Sequence, residues 1–431
     1  MTPKHTAPDP ATTALRQHSL QRGPQRWRQG CSAWLPDLVA FSVSLLCAGL
    51  AALVIGLIGG CGGGVGTEGT GSYASGPITG FGSIIVNGVH FDDGAAQLQD
   101  DDGKGLASGS LALGMVVQVT AGPISAAADG RLRAQASAVH TDRALVGPAS
   151  AVDVLAGSLR VLGQPVLVSA DTVFDARLVG GLAGVGGVGG LAPGQLLEVY
   201  GFFDSRRAAY AATRIAPAAA SAGYRVSGQV ASVDARNQTF TLGSQTYSYA
   251  SLASSSAPVP GTVLRLQLKS EPDAGGRWQV SDQRSTDSAP QDRDGAGLDG
   301  RVSALLSAGR FVVDGVTVDA SAAQVSGSLK LGAQVTVRGT LRAGLLLATQ
   351  VVVGSDEQAR SFDLSGNIGS LDTTARRFVL RGTPVSYGRA DLVFENGSAA
   401  KLVGYAGTLE VEGQLSADRT QVDAQRIRFD H

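Results

Sequence analysis

Asp92, Asp93, Asp100, Asp101 and Asp102 fall within a short stretch of a 431-residue chain. Several carboxylate oxygens on a pliable loop are what calcium binding requires. The stretch lacks the D-x-[DN]-x-[DN]-G spacing, however, and Lys104 beside it opposes a cation, so it reads as a solvated acidic loop without metal. The residues just before it, "GPITGFGSIIVNGVHFDD" from Gly76 to Asp93, have the look of a glycine-rich phosphate loop. Such a loop opens a helix and ends in Gly-Lys-Ser/Thr. Neither feature follows Gly80-Phe81-Gly82. Beyond residue 61 the histidines are His90, His140 and His431, with no cysteine, no Gly-x-Ser-x-Gly elbow and no His-Glu-x-x-His helix. His90 has no counterpart in the corresponding stretches further along and reads as a strand histidine. Carboxylate pairs for glycoside hydrolysis come from distant strands, and nothing points to a particular pair. The expectation is a protein that is not an enzyme, with no catalytic residue, cofactor or metal.

The elements that would carry any site are repeated. A Gly-x-apolar opener recurs as "GPITGF", "GPASAV", "GQVASV", "GRVSAL" and "GNIGSL", beginning at Gly76, Gly147, Gly228, Gly300 and Gly366. Each is followed by two apolar runs around a turn: "SIIVNGVHF", "SLRVLGQPV", "TFTLGSQTY", "RFVVDGVTV" and "RFVLRGTPV". Asn87-Gly88 and Asp314-Gly315 are two-residue hairpin signals, and the same glycine recurs at Gly163, Gly243 and Gly382. A third element alternates apolar and polar residues, as in "LGMVVQVTAG" and "AGTLEVEG", and a last one closes each copy, as in "LLATQVVVG" and "QVDAQRIRFD". Period two places one face against a core. About five short strands per copy predict an all-β chain of tandem small five-stranded Greek-key (OB-like) barrels, because closure removes edges that would cross-pair neighbouring copies.

Composition agrees with strands and turns. The chain is 43% hydrophobic but only 5% aromatic, and it contains 59 glycines. Its formal net charge is -1. Without the basic leader, 30 basic residues face 34 acidic ones. This mildly acidic, aromatic-poor body offers no basic groove with stacking platforms, so no nucleic-acid partner is expected.

Residues 38–60 form an uncharged apolar run preceded by "RGPQRWRQG", long enough as a helix to cross a bilayer. The run ends in Ile58-Gly59-Gly60-Cys61, which resembles the lipobox of bacterial lipoproteins. That resemblance implies lipidation at Cys61. The run is longer than an ordinary signal core, so a retained signal anchor stays open beside it. With Gly62 after the cysteine, lipoprotein resemblance implies an outer membrane lipoprotein facing periplasm or cell surface; the alternative is inner-membrane anchoring.

The sequence therefore divides into a leader (1–60), a flexible glycine-serine tether (61–75), and β-modules at 76–143, 144–217, 222–284, 298–354 and 361–431, with a charged linker at 285–297. "GGLAGVGGVGG" from Gly180 reads as an insertion loop. These modules are expected to stand as separate small barrels joined by polar linkers, each only marginally stable by itself and leaning on its neighbours.

At Gly76–Asp93 the chain resembles a bacterial domain-of-unknown-function family, number 5666, whose members begin with nearly this string and carry tandem small β-domains. The later copies keep the turn glycine and strand pattern but depart from the opener's wording, the second most of all. The resemblance implies an exported, lipoprotein-like molecule and carries no activity or site residue. The expected function is a membrane-anchored envelope protein acting as a structural or interaction scaffold. The alternative is a small-ligand or glycan-binding lipoprotein using a barrel mouth in one module, most plausibly the first.

Overall fold

Glycine and alternation together dictate the local structure. In the second copy, Leu145–Asp153 turns into Ser158–Val161 and then Gln164–Phe174, and after an intervening stretch Leu196–Asp204 and Ala209–Pro217 complete the unit. The first strand pairs antiparallel with the second and the fourth, the second pairs antiparallel with the third, the fourth pairs antiparallel with the fifth, and the third and fifth run parallel. The ladder thus closes on itself in the order first, second, third, fifth, fourth. The same closure recurs in the other four copies. The protein is all-β and built from small five-stranded barrels. This computed structural model describes residues 71–107, 109–178, 187–220, 223–253, 257–285, 291–354 and 360–430. Cys61 and the apolar run of residues 38–60 lie outside the described residues, as do most of the Gly180 insertion and His431. Among the described residues no helix is long and apolar enough to cross a membrane.

The hairpin glycines sit where the sequence places them. Asn87 and Gly88 have φ of 54° and 73°, Leu162 and Gly163 53° and 80°, Asp314 and Gly315 47° and 80°, and Arg381 and Gly382 47° and 77°. Two successive positive φ values are the mark of the type I′ turn, whose twist matches that of its flanking strands. Leucine and arginine are costly in this conformation. What accommodates them is the opener glycine: a Cβ on Gly147 would lie 2.5 Å from the Leu162 side chain, one on Gly76 2.6 Å from Asn87, and one on Gly366 3.3 Å from Arg381. The side chain of the turn residue lies across the bare backbone of the first strand. Opener and turn, far apart in the repeat, are one packing unit.

The barrels do not stand apart. Ser72–Pro77 of the first unit runs parallel to Arg293–Ser307 of the fourth, Gly80–Phe81 runs parallel to Phe362–Gly366 of the fifth, and Leu145–Asp153 of the second meets Tyr224–Asp234 of the third. First strands pair with first strands in all three cases. One apolar cluster accordingly joins the interiors of the first and fifth units through Phe81, Phe91, Phe378 and Phe429. A second serves the second and third units through Phe174, Tyr210, Phe240 and Tyr247, and a third fills the fourth unit around Phe311. Units of this size bury too little surface alone, and sharing interiors enlarges the core.

This packing accords with small barrels that lean on their neighbours, but strands extend into the stretches read as tether and linker. Residues 72–75, read as the end of a tether, belong to the first strand, with Ser72, Ala74 and Ser75 buried. Residues 293–297, read as the end of a linker, belong to the long first strand of the fourth unit. The Gly187–Gly190 end of the insertion forms a short helical turn with Val188 buried against the second core. The physical reason is the same each time: small residues adopt strand geometry where a neighbouring backbone supplies hydrogen-bonding partners, and composition alone does not reveal that neighbour.

Two glycine substitutions separate close approach from backbone conformation. A Cβ on Gly80 would lie 2.2 Å from the Asp363 carbonyl oxygen, so Gly80→Ala should cost about 1–3 kcal/mol in denaturant unfolding. Gly382→Ala meets nothing within 4 Å and should cost only about 1 kcal/mol, from its left-handed φ of 77°.

Candidate functional site

The acidic loop is not a solvated one. The Asp101 side chain is fully buried, and Arg143 donates to its Oδ1, with Nε at 2.9 Å. Arg225 from the third unit reaches the same oxygen at 3.1 Å and bonds Asp102 with its other terminal nitrogen. Arg143 also approaches Asp100 at 3.6 Å and Glu198 of the second unit at 3.7 Å. Nearby, Arg265 of the third unit bonds Asp142 at 2.6 Å, and Gln267 donates to Asp102 at 3.3 Å. Asp100, Asp101 and Asp102 bring oxygens close enough to hold a metal. Two arginines already occupy that role, so the triplet works as an ionic clamp on three barrels. Burial acts to raise the Asp102 carboxyl, but the hydrogen bond and charge of Arg225 overcome it and hold the group below the usual carboxylate range. The expectation of a solvated loop fails because the cations that neutralise it come from residues 143 and 225.

The groove lies elsewhere, at the seam between the first and fifth units, and encloses about 890 Å³. Its floor is made where Gly80–Phe81 runs beside Phe362–Gly366. Gly82, at φ 138°, lies so close to Ser365 that a Cβ would come within 2.8 Å of that side chain. One wall is built by the NG hairpin. Along Val89–Asp92, Val89 and Phe91 point into the core, so His90 and Asp92 point outward. Arg131, Arg133 and Gln135 alternate outward in the same way beside them. On the opposite wall, Leu409 and Val411 are buried while Glu410 and Glu412 line the groove, and the facing strand presents Arg426 and Arg428.

The walls are knitted by ion pairs. In the ladder Glu410 stands opposite Arg428 and Glu412 opposite Arg426, and each pair is hydrogen-bonded. Arg426 also approaches Glu395 at 3.7 Å. Arg131 reaches across from the first unit to Glu410 at 3.4 Å, so the two barrels touch over the groove as well as beneath it. Ser83 on the floor lies 3.3 Å from Nδ1 of His90. Burial, then the charges of Arg131 and Arg133, lower the His90 pKa and favour the neutral ring. Asp363 stands directly across the ladder from Glu412, and burial followed by that neighbour's charge raises its carboxyl.

Of the residues the sequence singled out, the structure brings His90 and Asp92 into this groove. Asp93 lies outside its lining, Asp100 to Asp102 form the clamp, and His140 lies on a strand of the first barrel without lining the groove. The opposite wall was not foreseen. Its signal is the alternation of "LEVEG" with "RIRF", which announces a charged outer face but not what faces it across the seam.

Two segments, 146–216 and 299–352, match the family described as Domain of unknown function (DUF5666). They cover the second and fourth barrels, and the tandem match agrees with the resemblance drawn from the first copy, whose own string lies outside both segments. No curated protein matches the chain.

Removing one partner of the clamp should be far worse than removing both. Asp101→Asn alone leaves two buried guanidinium groups short of a charge and should cost about 3–5 kcal/mol in denaturant unfolding, whereas joint replacement of Asp101 and Arg225 by apolar residues should recover part of that loss. Because the Asp102 carboxyl is depressed, its contribution is whole above its unfolded pKa of about 4 and disappears as pH falls through the lower folded value. Acid titration of stability should therefore show a loss in that range that Asp102→Asn flattens.

Proposed function

We propose that the protein is an exported, membrane-tethered envelope protein that is not an enzyme, whose barrels form a rigid platform presenting one binding groove for a hydroxyl-rich ligand such as an oligosaccharide segment. The observation that carries the reading is the groove between the first and fifth units. Its four lining arginines are matched by acids, so it is no funnel for polyanions, and its charged walls disfavour an apolar ligand. Guanidinium donors alternating with carboxylate acceptors suit hydroxyl groups, which donate and accept at once. The site differs from a single barrel mouth in that it needs two units. The strand order, with third and fifth strands parallel, supports assigning each unit to the Greek-key OB-like class. In many OB-like barrels the outer barrel face near the second and third strands is a binding surface, and here that face of the first unit forms one wall. The acidic body supports excluding nucleic acid. The scaffold reading has its own support in the clamp and the shared interiors, which favour a rigid support over a flexible string.

Anchoring through lipid at Cys61, with the outer membrane as destination, completes the proposal, and a retained N-terminal helix in the inner membrane is its alternative. Mass measurement of the mature N-terminus should find diacylated Cys61. An intact Met1 would favour the retained anchor. For the groove, full-length protein in detergent should bind members of a neutral oligosaccharide panel in titration calorimetry. Glu412→Gln removes a charged acceptor and should weaken that binding about 10-fold or more. Failure of every panel member to bind would remove the reading.

A further inference from the structure

The carboxylates of the groove outnumber the cations that meet them. Arg428 and Arg131 both go to Glu410, Arg426 is shared by Glu412 and Glu395, and Arg133 is held at 2.9 Å by Asp129. Asp363 on the floor has no such partner: among the described residues no side chain donates a hydrogen bond to its carboxyl. Its nearest neighbour in the ladder is another acid, Glu412. Like charges directly opposed across a ladder destabilise a sheet, and a cation placed between them turns repulsion into attraction. Asp92 lines the groove from the other unit, and among the described residues its carboxylate accepts only from the Gly94 backbone N–H, at 3.0 Å. With the arginines committed elsewhere, the unspent charge of the groove is negative and lies on its floor.

We infer that Asp363 receives an ammonium group of the ligand, so that the hydroxyl-rich ligand of this groove carries a primary amine, as an amino sugar does. The inference rests on the reading of the groove as a site for hydroxyl-rich ligands and adds the charge that ligand bears. An amine beside Asp363, which is exposed on the groove floor, forms a charge-assisted hydrogen bond with it, while hydroxyls on the same ligand meet the Arg–Glu pairs of the walls. The groups facing Asp363 are Glu410 and Glu412, Arg131 and Arg426. Burial and Glu412 raise its pKa against the pull of the two arginines, so once pH falls into the range of that raised value an incoming ammonium must displace a proton. Affinity for an amine therefore falls as pH drops through the raised Asp363 value.

The test compares a glucosamine tetramer with its fully N-acetylated counterpart, which differs only in masking the amine, by calorimetric titration into the full-length protein in detergent. The amine form should bind at least 10-fold more tightly at neutral pH. Asp363→Asn should abolish that preference. Binding followed down the acid range in two buffers of different ionisation enthalpy should show proton release with the amine form that Asp363→Asn removes. Equal affinity for the two tetramers, a preference that survives Asp363→Asn, or absence of proton release overturns the amine inference and leaves the groove reading intact. No binding of either tetramer, together with no binding across the neutral panel, overturns both.

Discussion

The backbone of Gly80 approaches that of Asp363 so closely that a single methyl group would not fit between them, and much of the architecture follows from that contact. It lets the first strand of the first barrel lie parallel to the first strand of the fifth, merges two small interiors into one cluster, and lays the floor of the polar groove. A barrel of five short strands is closed and has no free edge along most of its length, so a neighbour can join only where a strand bends or lacks side chains. The first strands, rich in glycine, offer that opening, and three inter-barrel ladders use it.

Electrostatics then fixes what the ladders leave loose. The clamp at Asp101 involves residues from three barrels, and further ion pairs tie the segment before the fifth unit inward: Arg360 meets Asp171 at 3.3 Å and Asp299 at 3.0 Å. Each of these groups is partly or wholly buried, and a buried charge without its partner is strongly unfavourable, so such pairs select one arrangement of the barrels even where their net contribution to stability is small. The groove benefits directly. Its walls belong to units nearly 300 residues apart in the chain, and functional geometry of that kind requires rigid support behind each wall.

The repeat was legible because its physics is local. Asn87-Gly88 and Asp314-Gly315 announce type I′ turns by residue type alone, and alternation in "LGAQVTVRG" marks which side chains are buried. The pairing of opener glycine with turn residue lay in the same repeat but concealed its meaning, since contact between Gly147 and Leu162 appears only once the barrel closes. Asp100 to Asp102 were conspicuous and misread: a loop of three acids is solvated unless cations arrive, and the guanidinium groups of Arg143 and Arg225 arrive from other strands.

By itself the sequence determined the strands, their turns, their number in each copy and the outward direction of His90, Asp92, Glu410 and Glu412, because period-two alternation and left-handed glycines act over a few residues. Only the tertiary structure decided which barrels share a core, that the acidic triplet is a clamp, and that Asp363 faces Glu412 on the floor of a groove. Those outcomes depend on closed surfaces meeting across hundreds of residues, where shape and charge are set by neighbours that no local pattern names.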